Sequence, residues 1–195
     1  MTTAKRQQRA LRPAAHPASL TVQAAALALV MALMLLSHQR NDVWRTDLLL
    51  YEDAVRKLPH KPRVLNNLGF ALNRLGQYDR SLEVFERSLA VDPDNVPALL
   101  NRGLAYHELL QYDQAAADYT RVITLASGVA QAWFNRGLVR AAKGELLLAV
   151  EDFSRAIELD PGYRKAYKQR GMAYARLGMG EKARGDQQKA ETLNK

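Results

Sequence analysis

The chain has 195 residues, with 28 Lys and Arg against 20 Asp and Glu for a formal charge of +8, and is 48% apolar and 25% charged. That length holds about one domain and an appendage, and that balance belongs to folded rather than disordered chains. With no cysteine, disulfides, thiolate metal sites and thiol nucleophiles are all excluded.

Residues 1–17 form a basic tail in which Lys5, Arg6, Arg9 and Arg12 meet no acid. Residues 18–37 then run without a charge, and only Ser19, Thr21, Gln23 and Ser37 are polar among Ala, Leu, Val and Met. As a helix this stretch measures about 30 Å, one hydrocarbon core. A signal peptide has a similar basic start, but a small-residue cleavage site should follow, and Leu35-Leu36-Ser37-His38-Gln39 offers none. The segment is therefore expected to be a single transmembrane anchor. Four Lys or Arg precede it, and only Arg40 and Arg45 lie in the 12 residues that follow. The positive-inside bias then puts the N-terminus in the cytoplasm and the rest of the chain outside it, in a periplasm or lumen.

Residues 38–61 form a junction. In it Tyr51, Ala54 and Pro59 keep the register of the second helix in the repeats described next, so Asp47 to Leu58 should form a helix capping the first of them.

From residue 62 onward the chain matches itself at a spacing of 34 residues, marked by Gly69, Gly103, Gly137 and Gly171. With units at 62–95, 96–129, 130–163 and 164–195, the fourth position reads Leu65, Leu99, Trp133, Tyr167. The twentieth reads Ser81, Ala115, Ala149, Ala183, and the twenty-fourth Phe85, Tyr119, Phe153, Gln187. Each unit shows apolar residues at helical spacing, a turn (Gly76, Gly144, Gly178), then a second amphipathic helix. Small residues stand where two helices must cross closely, and the aromatic fills the space left. One such hairpin cannot bury its own apolar face, so the units must stack.

This period and pattern resemble the tetratricopeptide-repeat family. The resemblance implies an all-α fold, an α-solenoid of four helix hairpins wound into a right-handed superhelix, serving protein–protein interaction. The junction from Asn41 to Pro59 is similar to the segment after the last span of membrane O-mannosyltransferase-like proteins with C-terminal arrays of these repeats. No transferase activity follows from so short a stretch.

Departures from the pattern carry their own expectations. Leu110 replaces the turn glycine and Ser127-Gly128 the closing proline in the second unit, so its junction with the third should be looser. Gln187 replaces the aromatic in the fourth, whose polar second helix should act as a cap. The seventh position reads Leu68, Arg102, Arg136, Arg170 while the twenty-third reads Val84, Asp118, Asp152, Asp186. Two positions that change character together should face each other, as an apolar pair once and as ion pairs three times.

Catalytic chemistry is not expected. His16, His38, His60 and His107 show no metal-ligand spacing, and no phosphate loop occurs, so neither metal nor cofactor is expected. A nucleic-acid partner is not expected either, because base-reading helical repeats need contacts in every unit and the basic side chains crowd into the last. The sixth position, in contrast, is an amide throughout: Asn67, Asn101, Asn135, Gln169. In the family this position lines the concave face. A carboxamide both donates and accepts, so a row of them can hold the backbone of an extended peptide. The ninth position, Phe70, Leu104, Leu138 and Met172, with Leu100 and Phe134 at the fifth, would supply shallow apolar pockets beside that row. The expected protein is thus a membrane-anchored scaffold gripping a partner polypeptide. The alternative is an accessory or detached portion of a membrane glycosyltransferase system that presents acceptor protein.

Overall fold

The structure, a computed structural model, describes residues 17–193, without the side chains of 17–21, 23, 24 and 37–46. The chain divides into two compact units, Met1–Val43 and Trp44–Lys195. Nine helices make up the described residues: α1 Pro17–Lys57, α2 Pro62–Arg74, α3 Tyr78–Val91, α4 Val96–Glu108, α5 Tyr112–Leu125, α6 Ala130–Ala142, α7 Leu146–Leu159, α8 Arg164–Arg176 and α9 Gly180–Thr192.

In the first unit, the expected span at 18–37 is helical throughout and lies within α1. Its described apolar side chains, from Val22 to Leu36, are exposed. The side chains of 18–21, 23, 24 and 37 lie outside those described, as does the basic tail before Pro17. Among the described residues no helix is long and apolar enough to cross a membrane.

The second unit is a stack of four hairpins, α2–α3, α4–α5, α6–α7 and α8–α9, preceded by the last turns of α1. Leu48 and Val55 of α1 are buried against Leu65, Leu68 and Leu72, with Tyr51 packed alongside, and Arg80 reaches Glu52 at 2.9 Å. The last turns of the long helix α1 thus pack against the first hairpin.

In the first three hairpins one glycine sets the distance between the helices. A Cβ on Gly69, Gly103 or Gly137 would stand 2.5, 2.8 or 2.6 Å from the ring of Phe85, Tyr119 or Phe153. Each ring is fully buried, over Ser81, Ala115 or Ala149 of its own helix, which are fully buried too. Burying a ring of this size contributes about 1.5–3 kcal/mol, and only a bare glycine lets it come this close.

The turns between paired helices need a left-handed residue. Gly76, Gly144 and Gly178 supply it at φ of 71°, 83° and 75°, and Leu110 is forced to 60° in the same role. At the second-to-third junction α5 still packs on α6, although these two repeats touch less than the other neighbours do, and Trp133 Nε1 donates to the Ser127 carbonyl at 2.8 Å across the turn that lacks proline.

Stacking is nearest-neighbour only. Each first helix touches the next first helix (α2–α4, α4–α6, α6–α8), whereas successive second helices do not meet. The first helices therefore form the tighter, inner layer, and their outward side chains line the concave face.

Candidate functional site

The sixth positions recur once per repeat, each on the first helix of its hairpin, α2, α4, α6 or α8. Asn67, Asn101, Asn135 and Gln169 are all half-buried. Asn101 holds internal bonds that the sequence did not signal. Asn101 Nδ2 donates to Asn66 Oδ1 of the preceding repeat at 3.1 Å, and the Asn101 carbonyl accepts from Asn73 Nδ2 at 2.8 Å. Asn135 lies near the hydroxyl of Tyr119; burial and then the nearby Asp118 raise the pKa of that phenol, and Asn135 opposes them. A carboxamide offers two N–H groups and an oxygen with two lone pairs, so one internal bond leaves each amide able to take a second partner.

The apolar side of the row is uneven. Phe70, Leu104 and Met172 reach the surface, 39%, 37% and 53% exposed. Leu138 is half-buried against Phe134. Phe134 does not form a pocket wall as expected: it is 7% exposed, its ring 4.8 Å from Tyr163 and 5.8 Å from Phe153, because those rings offer it an interior seat. Leu100 is half-buried beside Tyr119.

Beneath this face lie the expected ion pairs. Arg102 holds Asp118 at 2.8 and 2.7 Å, Arg136 holds Asp152 at 3.0 and 2.8 Å, and Arg170 holds Asp186 at 2.8 and 2.8 Å, each through two guanidinium nitrogens. Leu68 and Val84 take the same places in the first repeat as part of one apolar cluster. Hydrogen bonds to Asp118 and Asp186 raise the pKa of Arg102 and Arg170 against the opposing effect of burial. Two of the arginines also reach back one repeat, Arg136 to Thr120 Oγ1 at 3.1 Å and Arg170 to Ser154 Oγ at 3.0 Å. Each guanidinium further sits over an aromatic ring of its own helix, Tyr106, Trp133 or Tyr167, at 5.6, 5.0 and 5.6 Å. These groups tie the two helices of each hairpin together. Among the described residues no three His, Asp or Glu side chains are placed to hold a metal.

Two family models, each described as Tetratricopeptide repeat, match residues 61–127 and 100–164. The chain is a tetratricopeptide-repeat protein. Similar solved structures share this repeat solenoid. They include a crystal structure of MamA (24% identity, TM-score 0.71, 79% of this chain and 94% of that one) and MamA from Desulfovibrio magneticus RS-1 (24%, 0.68, 80% and 95%). MamA AMB-1 aligns at 28% identity with a TM-score of 0.69 over 81% of this chain and 94% of its own. Among curated proteins, Protein O-mannosyl-transferase Tmtc3 of Drosophila melanogaster is 32% identical over 76 residues. That match takes in 39% of this tetratricopeptide-repeat chain but 8% of Tmtc3.

Proposed function

We propose that the chain is a membrane-anchored, non-catalytic scaffold that binds an extended polypeptide along its concave face. The observation that carries this reading is the amide at the same inner position of all four repeats, flanked by exposed Phe70, Leu104 and Met172. Backbone C=O and N–H groups of a bound segment would pair with the amides, and its alternate side chains would rest on the apolar positions. The anchor rests on the uncharged stretch at 18–37, and the excess of basic residues before it puts the N-terminus in the cytoplasm and the repeats outside. Changing Asn67, Asn101 and Asn135 together to Ala should leave helicity intact and shift the melting temperature little, yet abolish capture of extended peptides from a displayed library. Undiminished capture overturns the reading. Protease added to spheroplasts or sealed microsomes should digest the repeats; their protection reverses the orientation.

The similarity to Tmtc3 favours a second reading, an accessory portion of a membrane glycosyltransferase system that presents acceptor protein to a separate catalytic subunit. Recovery of a multi-span transferase with the chain from mild detergent would select it over a general scaffold.

A further inference from the structure

The fourth repeat keeps the spacing glycine and drops the ring that needs it. Gly171 occupies the place of Gly69, Gly103 and Gly137, but the position of Phe85, Tyr119 and Phe153 is Gln187, which is exposed. The nearest atoms to a Cβ on Gly171 are Asp186 Cβ at 3.2 Å and the Ala183 carbonyl at 3.3 Å, with no ring among them. In place of the ring there is a cleft of about 500 Å³ between α8 and α9, lined by Gly171, Met172, Ala183 and Gln187 among others, with Arg164, Lys168 and Glu191 as its charged side chains.

The preceding repeats show what this surface receives. The same face of α2–α3 seats α4, that of α4–α5 seats α6, and that of α6–α7 seats α8. Each seated helix puts a fully buried alanine at its third position, Ala98, Ala132 or Ala166. Ala98 shares a cluster with Phe85, and Ala166 one with Phe153. A small residue is required there because the ring of the previous repeat already fills the space. With Gln187 in place of the ring, the complementary helix is one that brings the bulk itself.

Charge narrows the occupant further. Among described residues from 164 onward there are eight bases (Arg164, Lys165, Lys168, Arg170, Arg176, Lys182, Arg184, Lys189) against Glu181, Asp186 and Glu191. The Arg170–Asp186 pair cancels one of each and Arg164 is already engaged, which leaves six bases against Glu181 and Glu191. A second copy of the chain is a poor occupant, because the matching face of its first hairpin is already covered by Leu48, Tyr51 and Val55.

We infer that the α8–α9 cleft is a second binding site, distinct from the amide row, for an acidic amphipathic helix of a partner protein that inserts a phenylalanine- or leucine-sized side chain over Gly171. The site stands whether or not the amide row binds peptide, although Met172 borders both.

The test uses the 195-residue chain in mild detergent and synthetic helical peptides of 13 residues, the length of α8. The probe has Phe at the third position, Ala at the tenth and Glu on its polar face. One control has Ala at the third position and another has Lys in place of every Glu. The Phe–Glu probe should bind saturably, and both controls about tenfold or more weaker, since apolar fill and charge complementarity each contribute. Gln187→Phe restores the missing ring, so it should abolish probe binding while holding or raising the melting temperature. The Asn67/Asn101/Asn135→Ala variant should still bind the probe. No saturable binding, equal binding of the Lys control, or unchanged binding to Gln187→Phe overturns the site. Self-association of the chain that Gln187→Phe removes would assign the cleft to a second copy and overturn it as well.

Discussion

Arg136 and Asp152, 16 residues apart on paired helices, meet through two parallel hydrogen bonds of 3.0 and 2.8 Å, and Arg140 one turn further along α6 reaches the same carboxylate at 2.9 Å. Asp118 in the preceding repeat has Arg102 alone as its ion-pair partner among the described residues. Both aspartates are buried, so the difference between them is the number of cations that would remain after one is removed.

Arg102→Leu should therefore destabilise more than Arg136→Leu. Stranding a buried carboxylate costs about 3–5 kcal/mol, and Arg140 still neutralises Asp152 when Arg136 is gone. Adding Asp118→Val to Arg102→Leu should recover most of the loss, because the first repeat already runs on Leu68 and Val84 in these places. Denaturant melts of the three variants would check the order; equal midpoints for Arg102→Leu and its double variant contradict it.

Leu110→Gly should stabilise. Leu110 holds φ at 60° and is 70% exposed, so little packing is lost when the side chain goes. Relief of left-handed strain is worth roughly 1–2 kcal/mol, less the cost of glycine's freedom when unfolded, and the net gain should be about 1 kcal/mol or a few degrees of melting temperature.

Gly137→Ala and Gly171→Ala should separate sharply. The first places a Cβ 2.6 Å from Phe153 and forces the ring to move, a cost of about 1–3 kcal/mol. The second has its nearest neighbour at 3.2 Å and gains helix propensity, so its melting temperature should change by no more than a third as much.

Alkaline pH should weaken the array. Burial, then Asp118, raises the pKa of Tyr119 above its ordinary 10.0, so the folded state keeps a proton that the unfolded chain releases. That contribution is complete below about pH 10 and is lost as pH climbs toward the raised value. Tyr78, Tyr106 and Tyr163 shift in the same direction. Tyr119→Phe should make the fall of melting temperature above pH 10 shallower without removing it.

What the sequence made legible follows from repetition. Four copies of a 34-residue unit act as a small alignment of the chain with itself, which is how Leu68–Val84 predicts the three Arg–Asp pairs before any coordinate is known. The rings over the spacing glycines were readable for the same reason. Phe134 was misread because the fifth position is Asn66, Leu100 and Lys168 in the other repeats, and the interior seat is offered by Tyr163, 29 residues along the chain at the end of its own repeat. The amide chain Asn66–Asn101–Asn73 was not legible, since its bonds join neighbouring repeats across 28 and 35 residues and occur in only one interface.

The nearest-neighbour stacking also dictates how the array comes apart. A hairpin flanked on both sides is held by two interfaces and one at an edge by a single interface, so opening is a fraying process rather than a single event. Among the described residues α8–α9 has a neighbour on one face, and of the residues of α9 only Asp186 is buried. Amide hydrogens in α9 should therefore exchange with solvent first, those of α4 to α6 last. A ligand seated on the outermost hairpin would slow exchange there before it changed the centre of the array.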